Sequence, residues 1–335
     1  MAGTKEIILS GIRPTGRLHY GNYFGAIRNF IDLQSQDTIC YYFIADYHAL
    51  TTITEREDFY QQTIEMLRTY VACGLDPAKS VIYRQSDLPC TAELALLLGM
   101  ITNIGFLARG TTYKDKMGKL EEGPGGVDGN PLSYGLLGYP VLMAADILIV
   151  QANVVPVGRD QKQHVEVTRD LAIKFNLAFG DTFTIPEPQI ADAVAVVPGL
   201  DGQKMSKSYG NTIEIFGDPK ATRKRIMSIV TDSKTLEEPK DPDTCNVFRL
   251  YKLFATEAQQ ADLAARYRAG GMGYGTAKKE LADLLETFFA PMRAKRAELA
   301  ANPRYVEDVL QAGAAKARAV ARETLQRARR AVGLE

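Results

Sequence analysis

Over residues 1–200 short β-type runs alternate with helical patterns, and this alternation restricts the chain to a doubly wound α/β sheet with right-handed crossovers. Ile7-Ile8-Leu9 reads as a strand, and residues 11–16, with Pro14, as a turn. A helix follows from about Tyr20, with Phe24, Ile27, Phe30 and Ile31 on one face. Residues 40–45 form a continuous apolar run of the kind buried in a parallel sheet. Residues 56–73 are expected to be helical, 81–83 a strand, 92–100 a helix, and 153–157 a strand followed by a helix from about Gln161. The glycine-rich stretch 118–135 reads as a loop. From about Ala221 strand signals stop, and helical segments follow at roughly 221–230, 245–268, 276–300, 303–316 and 315–331. The expected architecture is therefore a Rossmann-like parallel sheet over residues 1–210, with a helical insertion at about 92–137, and a helical domain over 211–335.

Charge supports that division. Forty basic and forty acidic side chains cancel over the 335 residues. Residues 1–210 nevertheless hold 18 basic against 23 acidic, a net of −5, and residues 211–335 hold +5. Lys316, Arg318, Arg322, Arg327, Arg329 and Arg330 crowd the last helical pattern, which suits a nucleic-acid partner or a solvated face. Cys40, Cys73, Cys90 and Cys245 show no CxxC spacing, so neither structural zinc nor a disulfide framework is expected. The most apolar stretch, 141–150, is interrupted by Asp146 and too short to span a bilayer, and the N-terminus has no signal-peptide core. A cytoplasmic protein without a membrane partner is the expectation.

Two motifs carry chemistry. The first, Ser10-Gly11-Ile12-Arg13-Pro14-Thr15-Gly16-Arg17-Leu18-His19-Tyr20-Gly21-Asn22, leaves the first strand and opens the first helix, where backbone N–H groups and the helix dipole favour phosphate. His19 and Asn22 share one face of that turn, though a Gly/Pro turn feeding a helix has the same composition. The second is Lys204-Met205-Ser206-Lys207-Ser208. Its lysines make a cationic clamp for a departing phosphate, or simply an exposed basic loop. In the 139–146 segment Tyr139, Met143 and Asp146 fall on one helical face. A carboxylate on an apolar face is costly unless paired, and a buried lysine is one available partner. Val155-Pro156-Val157-Gly158-Arg159-Asp160-Gln161 is a strand ending at glycine before a helix, the place where α/β sheets bind ligands.

Taken together, His19-Tyr20-Gly21-Asn22 and the letter-for-letter Lys204-Met205-Ser206-Lys207-Ser208 resemble the paired HIGH and KMSKS signatures of class I aminoacyl-tRNA synthetases. Within that class the chain resembles the tryptophanyl family from end to end, in 10–26, 44–51, 139–148, 155–170 and 199–208. The resemblance implies ATP-dependent activation of L-tryptophan and its transfer to tRNA(Trp) by a homodimer whose surface lies near 92–137. It implies that His19, Asn22, Lys204 and Lys207 act on the phosphates. Arg13, Pro14, Thr15, Gly21, Gly158, Arg159, Asp160, Val196, Met205, Ser206 and Ser208 complete the ATP site, with Mg²⁺ accompanying the nucleotide. Asp146 would accept the indole N–H, with Met143, Tyr139, Leu9, Gly11, Val155 and Val157 around the ring. Gln161 would meet the amino group, His48 would line the pocket, and Lys116 either reaches the triphosphate in the closed state or is a surface charge. Arg13, Leu9 and Arg159 depart from common family residues. No iron–sulfur cluster is expected, because Tyr267, Tyr274 and Ala277 stand where relatives with a cluster carry cysteines beside Cys245. The rival readings are a tyrosyl-type enzyme, against which Met143 and the 155–161 segment argue, and a synthetase-like binding protein, against which the intact motifs argue.

Overall fold

The computed structural model describes residues 5–14, 16–34, 37–51, 56–108, 133–158, 161–190 and 196–335. Its centre is a parallel five-stranded sheet in the order β3-β2-β1-β4-β5, built from Glu6–Ile12 (β1), Thr38–Ile44 (β2), Ser80–Arg84 (β3), Val154–Val157 (β4) and Glu187–Ile190 (β5). The order reverses beside β1, which pairs with both β2 and β4, so a crevice opens at the carboxyl ends of β1 and β4. This is the Rossmann-like fold expected.

Around it run a helical stretch over 20–33 (α1), Asp46–Ala49 (α2), Arg56–Ala72 (α3), Pro89–Met100 (α4), Ile104–Leu107 (α5), Tyr134–Ile149 (α6) and Lys162–Phe179 (α7). The helical region that follows comprises Pro219–Met227 (α8), Asn246–Tyr251 (α9), Glu257–Ala269 (α10), Tyr274–Ala301 (α11) and Pro303–Ala331 (α12). Within α1 the turn Tyr23–Ile27 is a π-helix, directly after the His19–Asn22 motif.

Strand residues alternate between two cores. Ile8, Cys40, Tyr42, Ile44 and Ile82 pack with α1, α3 and α9–α11, whereas Leu9, Tyr41, Phe43 and Tyr83 pack with α4, α6 and α7. Tyr20 ties the first motif to α11: its ring lies stacked on Phe289 with centroids 5.0 Å apart. The first core thus runs without a break from the sheet into the helical region.

The structure departs from the sequence reading at several elements. The segment 245–268 is two helices, because Thr256 caps a new one with Gln259 in a capping box. Conversely, 303–316 and 315–331 are one 29-residue helix, α12. Strand β5 was not anticipated. It holds Pro188, shows little alternation, and sits at the sheet edge, where proline is tolerated. The strand expected at 153–157 starts one residue later, and Asn153 instead accepts the Ile7 N–H through its side chain at 2.8 Å. Most of the glycine-rich stretch 118–135 and of the insertion 92–137 lies outside the described residues.

Helix α12 straddles the free edge of β3. Val306, Val309 and Leu310 belong to the first core, and Ala314, Ala317, Ala321, Leu325 and Ala328 to the second. It crosses at Gly313, where an added Cβ would fall 1.8 Å from the Ile82 carbonyl oxygen. Gly313→Ala is therefore expected to lower stability by roughly 1–3 kcal/mol, the usual cost of overpacking, since backbone faces it. A shifted urea midpoint at unchanged slope checks this; an unshifted midpoint would show that α12 can lift off without cost.

Candidate active site

The two motifs meet through a short antiparallel pairing. Tyr20 N–H donates to Ile213 O and Ile215 N–H to Leu18 O, both at 3.0 Å, with His19 opposite Glu214. This pairing lays the return limb of the lysine loop along the first turn. Gly16, in the left-handed region at φ +76°, donates its N–H to Gln62 Oε1 at 2.6 Å, and a Cβ on it would stand 3.6 Å from Lys207 Nζ.

Asn211 organises the lysine loop. Its Oδ1 accepts the Ser206 N–H at 2.8 Å, and its Nδ2 donates to Asp201 Oδ1 at 2.7 Å and to the Lys204 carbonyl at 3.2 Å. Met205 is buried and donates its N–H to Val197 O at 2.9 Å, while Ser206 and Ser208 share a hydrogen bond of 2.9 Å. Lys204 is exposed on the rim, and so is the Val196 side chain.

Electrostatics here favour an anion. Burial, and then the neighbouring Lys207 charge, lower the His19 pKa to about 4, so the imidazole is neutral near pH 7. Its Nδ1 is buried without a hydrogen-bond partner among the described residues, and its backbone N–H donates to Asn22 Oδ1 at 3.0 Å. Burial also lowers the Lys207 pKa; Glu214 opposes that shift and Arg13 adds to it. Crowded cations and a neutral donor ring beside a helix start gain most from a polyphosphate. Pro14 is buried at the turn, and Gly21 is pressed by the His19 ring, which would lie 2.9 Å from an added Cβ. Thr15, Lys116, Arg159 and Asp160 lie outside the described residues.

The second half of the site is a polar cluster under apolar walls. Asp146, on α6, is 4% exposed. The partners are a histidine and an amide rather than a buried lysine: His48 Nε2 stands 2.9 Å from Oδ2, and the Gln85 amide donates to Oδ1 and Oδ2 at 2.9 and 2.8 Å. Burial raises the Asp146 pKa, the bonds from His48 and Gln85 act against that, and the Asp46 charge adds to it. Leu9 and Val155 are buried in the same apolar cluster against which Met143 and Val157 pack. Tyr139 bonds through its hydroxyl to His164 Nε2, His164 Nδ1 pairs with Gln161 Oε1 at 2.8 Å, and the Tyr139 ring lies edge-on to His48 at 6.3 Å. The Gly158 carbonyl accepts the Gln161 N–H at 2.9 Å and so closes the turn after β4. Gly11 is glycine because Phe43 leaves no room: its Cβ would fall 2.4 Å from the Phe43 carbonyl oxygen.

Sequence reasoning missed Gln85, Ser86 and Asp46. Asp46 accepts the Ser86 N–H at 2.9 Å and the Ser86 hydroxyl, and burial raises its pKa. A signal existed: Gln85-Ser86-Asp87 is a polar run immediately past the carboxyl end of β3, where α/β sheets place ligands.

The family of class I tRNA synthetases for tryptophan and tyrosine matches residues 1–290. The chain belongs to the class I tRNA synthetases. Among relatives of this synthetase, the tryptophan--tRNA ligase of Fusobacterium nucleatum is 52% identical over 328 residues, covering 97% of each chain. That of Rhodopirellula baltica is 51% identical and covers 98% of this synthetase and 99% of the relative. The tryptophanyl-tRNA synthetase of Campylobacter jejuni, solved in complex with ADP and tryptophan, matches with a TM-score of 0.90 at 45% identity, covering 98% and 99% of the two chains. Among the described residues of the synthetase, no helix is long and apolar enough to cross a membrane.

Proposed function

We infer that this synthetase is a tryptophan--tRNA ligase. It activates L-tryptophan with ATP to tryptophanyl-adenylate and passes the acyl group to tRNA(Trp). The observation that carries the reading is the buried Asp146 carboxylate, 4% exposed and held by His48 and Gln85, on a helix that packs in the apolar cluster of Leu9 and Val155. Identity of 45–52% to tryptophan--tRNA ligases along nearly the whole chain supports it.

In the first step the tryptophan carboxylate attacks the α-phosphorus and pyrophosphate leaves. Catalysis is positioning and charge stabilisation, with no covalent nucleophile from the protein. Asp146 accepts the indole N–H, and Leu9, Gly11, Met143, Val155 and Val157 wall the ring. His48 and Tyr139 close its polar side, and Gln161 meets the amino group. His19 and Asn22 hold the phosphates together with the turn Arg13, Pro14, Thr15 and Gly21. Lys204 and Lys207, presented by Met205, Ser206 and Ser208, meet the charge growing on pyrophosphate. Gly158, Arg159 and Asp160 hold the ribose side, and the Val196 backbone the adenine side. Mg²⁺ accompanying the nucleotide would supply further neutralisation of the phosphate charge. Amino-acid-dependent ATP–pyrophosphate exchange across the amino-acid panel tests the reading. Exchange with tryptophan is expected; exchange with tyrosine alone, or with none, overturns it.

The same reading makes the protein a cytoplasmic homodimer, with residues 1–210 catalytic and 211–335 recognising the tRNA anticodon. Leu96, Met100, Ile104 and Tyr134, 59–82% exposed, support a self-association surface within the insertion. On α12 the basic residues divide by direction. Arg318 donates to the Asp87 carbonyl at 2.7 Å and Arg329 pairs with Glu93, so both face the sheet half, whereas Lys316, Arg322 and Arg327 are exposed. Neutralising any one of these three should flatten the slope of log K for tRNA against log salt by roughly 0.7–0.9 and leave pyrophosphate exchange intact. Unchanged slopes for all three would move the tRNA surface elsewhere.

A further inference from the structure

We propose that Gln85 is a positioning residue for tryptophan recognition, holding the Asp146 carboxylate in the orientation that accepts the indole N–H. The inference rests on the assignment of Asp146 to the indole. Gln85 is 1% exposed and begins the single turn Gln85–Asp87 at the end of β3. Its amide nitrogen reaches both Asp146 oxygens, at 2.9 and 2.8 Å, and together with His48 Nε2 on Oδ2 it fixes the carboxylate's orientation. Its carbonyl oxygen accepts the His48 N–H at 3.3 Å, which determines the end of the amide that faces Asp146. One side chain therefore registers α2, β3 and α6 against one another. With His48 Nε2 on Oδ2 and the Gln85 amide on both oxygens, the carboxylate keeps acceptor capacity for one further donor.

The flanks of Gln85 are fixed from the C-terminal region. Arg84 bridges Asp87 and Glu307, the latter at 2.9 Å, and Arg318 holds the Asp87 carbonyl. Ser86 is fastened to Asp46. Helix α12 thereby positions the residue that positions the reader of the indole.

The groups facing Asp146 are His48 and Asp46 from α2, Tyr83 from β3 and Gln85 beyond it; His164 of α7 bonds to Tyr139, whose ring lies edge-on to His48. Burial already raises the Asp146 pKa, and the Gln85 bonds act against that rise. Without them the carboxylate takes up a proton at higher pH than in the parent, so tryptophan binding weakens as pH falls. A glutamate at the same place does the reverse. Two adjacent buried carboxylates hold one proton at lower pH and repel as that proton leaves, so binding weakens as pH rises.

The test is the tryptophan KM in pyrophosphate exchange, followed against pH, for the parent, Gln85→Ala, Gln85→Glu and Asp146→Ala. Gln85→Ala is expected to raise the tryptophan KM roughly tenfold, the size of one hydrogen bond to a charged group. The ATP KM should hold and kcat change less, and the defect should grow toward acid. Gln85→Glu, nearly isosteric and able to carry the test alone should the alanine variant not fold, is expected to show a defect growing toward base. Folded Gln85 variants that keep the parental pH profile overturn the inference. If Asp146→Ala raises the tryptophan KM while the Gln85 variants do not, the inference about Gln85 fails and the site reading stands. An Asp146→Ala variant with parental KM removes the site reading itself.

Discussion

Lys207→Ala is expected to slow tryptophanyl-adenylate formation about 10²–10³-fold, the ~2.7–4 kcal/mol typical of removing one preorganised donor at developing charge. Tryptophan affinity should barely move, because the charge that Lys207 meets appears only as pyrophosphate departs. The geometry singles out Lys207 over Lys204. Both residues are solvent-exposed, but the Lys207 ammonium lies beside Gly16, is close enough to Arg13 and Glu214 to feel their charges, and lowers the His19 pKa. An ammonium beside another cation, its pKa already lowered, is poised to gain from an arriving anion. Single-turnover formation of the adenylate measures the effect. An unchanged rate together with weakened tryptophan binding would assign Lys207 to the amino-acid pocket and overturn its role here.

Asp146→Ala is expected to weaken tryptophan binding by roughly 1.5–3 kcal/mol, the value of a hydrogen bond to a charged group. It should also narrow the gap to phenylalanine. A site built to accept an N–H rejects a ring that lacks one, because the acceptor is then left unpaired. With the carboxylate gone that penalty disappears, and both rings meet the same apolar wall of Leu9, Met143 and Val155. Equilibrium binding of the two amino acids to parent and variant decides the matter. An unchanged ratio would make Asp146 a carboxylate that serves only His48 and Gln85.

Much of this was legible in the sequence where chemistry is local. The Gly16 turn, the His19–Asn22 helix start and the lysine loop are written in residue type and spacing, and so is the alternation that gives the doubly wound sheet. What escaped depends on partners distant in sequence. Gln85 means little until α6 brings Asp146 to it across 61 positions. Asp46 reads as a helix-opening carboxylate until Ser86 closes on it. Asn211 looks like linker, yet it holds the lysine loop, and Gly199 lies so close that a Cβ there would fall 2.2 Å from its amide. Strand β5 was missed because an edge strand with proline needs only one partner and little alternation. The join of 303–316 with 315–331 was missed as well. The local pattern does not show that 303–316 and 315–331 continue into one another; the long packing run of α12 across β3, with Gly313 in mid-helix, does.

The passage of α12 across β3 also bears on how the molecule comes into being. A ribosome delivers residues 303–331 only after every strand of the sheet has emerged. Until then β3 offers an unprotected ladder edge to any neighbouring nascent chain, with Ile82 and its carbonyl uncovered. The Ile82–Gly313 contact spans 231 residues, so its loop-closure entropy must be met late, when most other contacts already exist. Docking of this helix is then the closing event of folding, and the carboxyl end of β3, which carries Gln85, takes its final shape with it. A chain stalled before that event would have a nearly complete sheet, a sticky flank and no competent amino-acid pocket, the kind of species that chaperones retain.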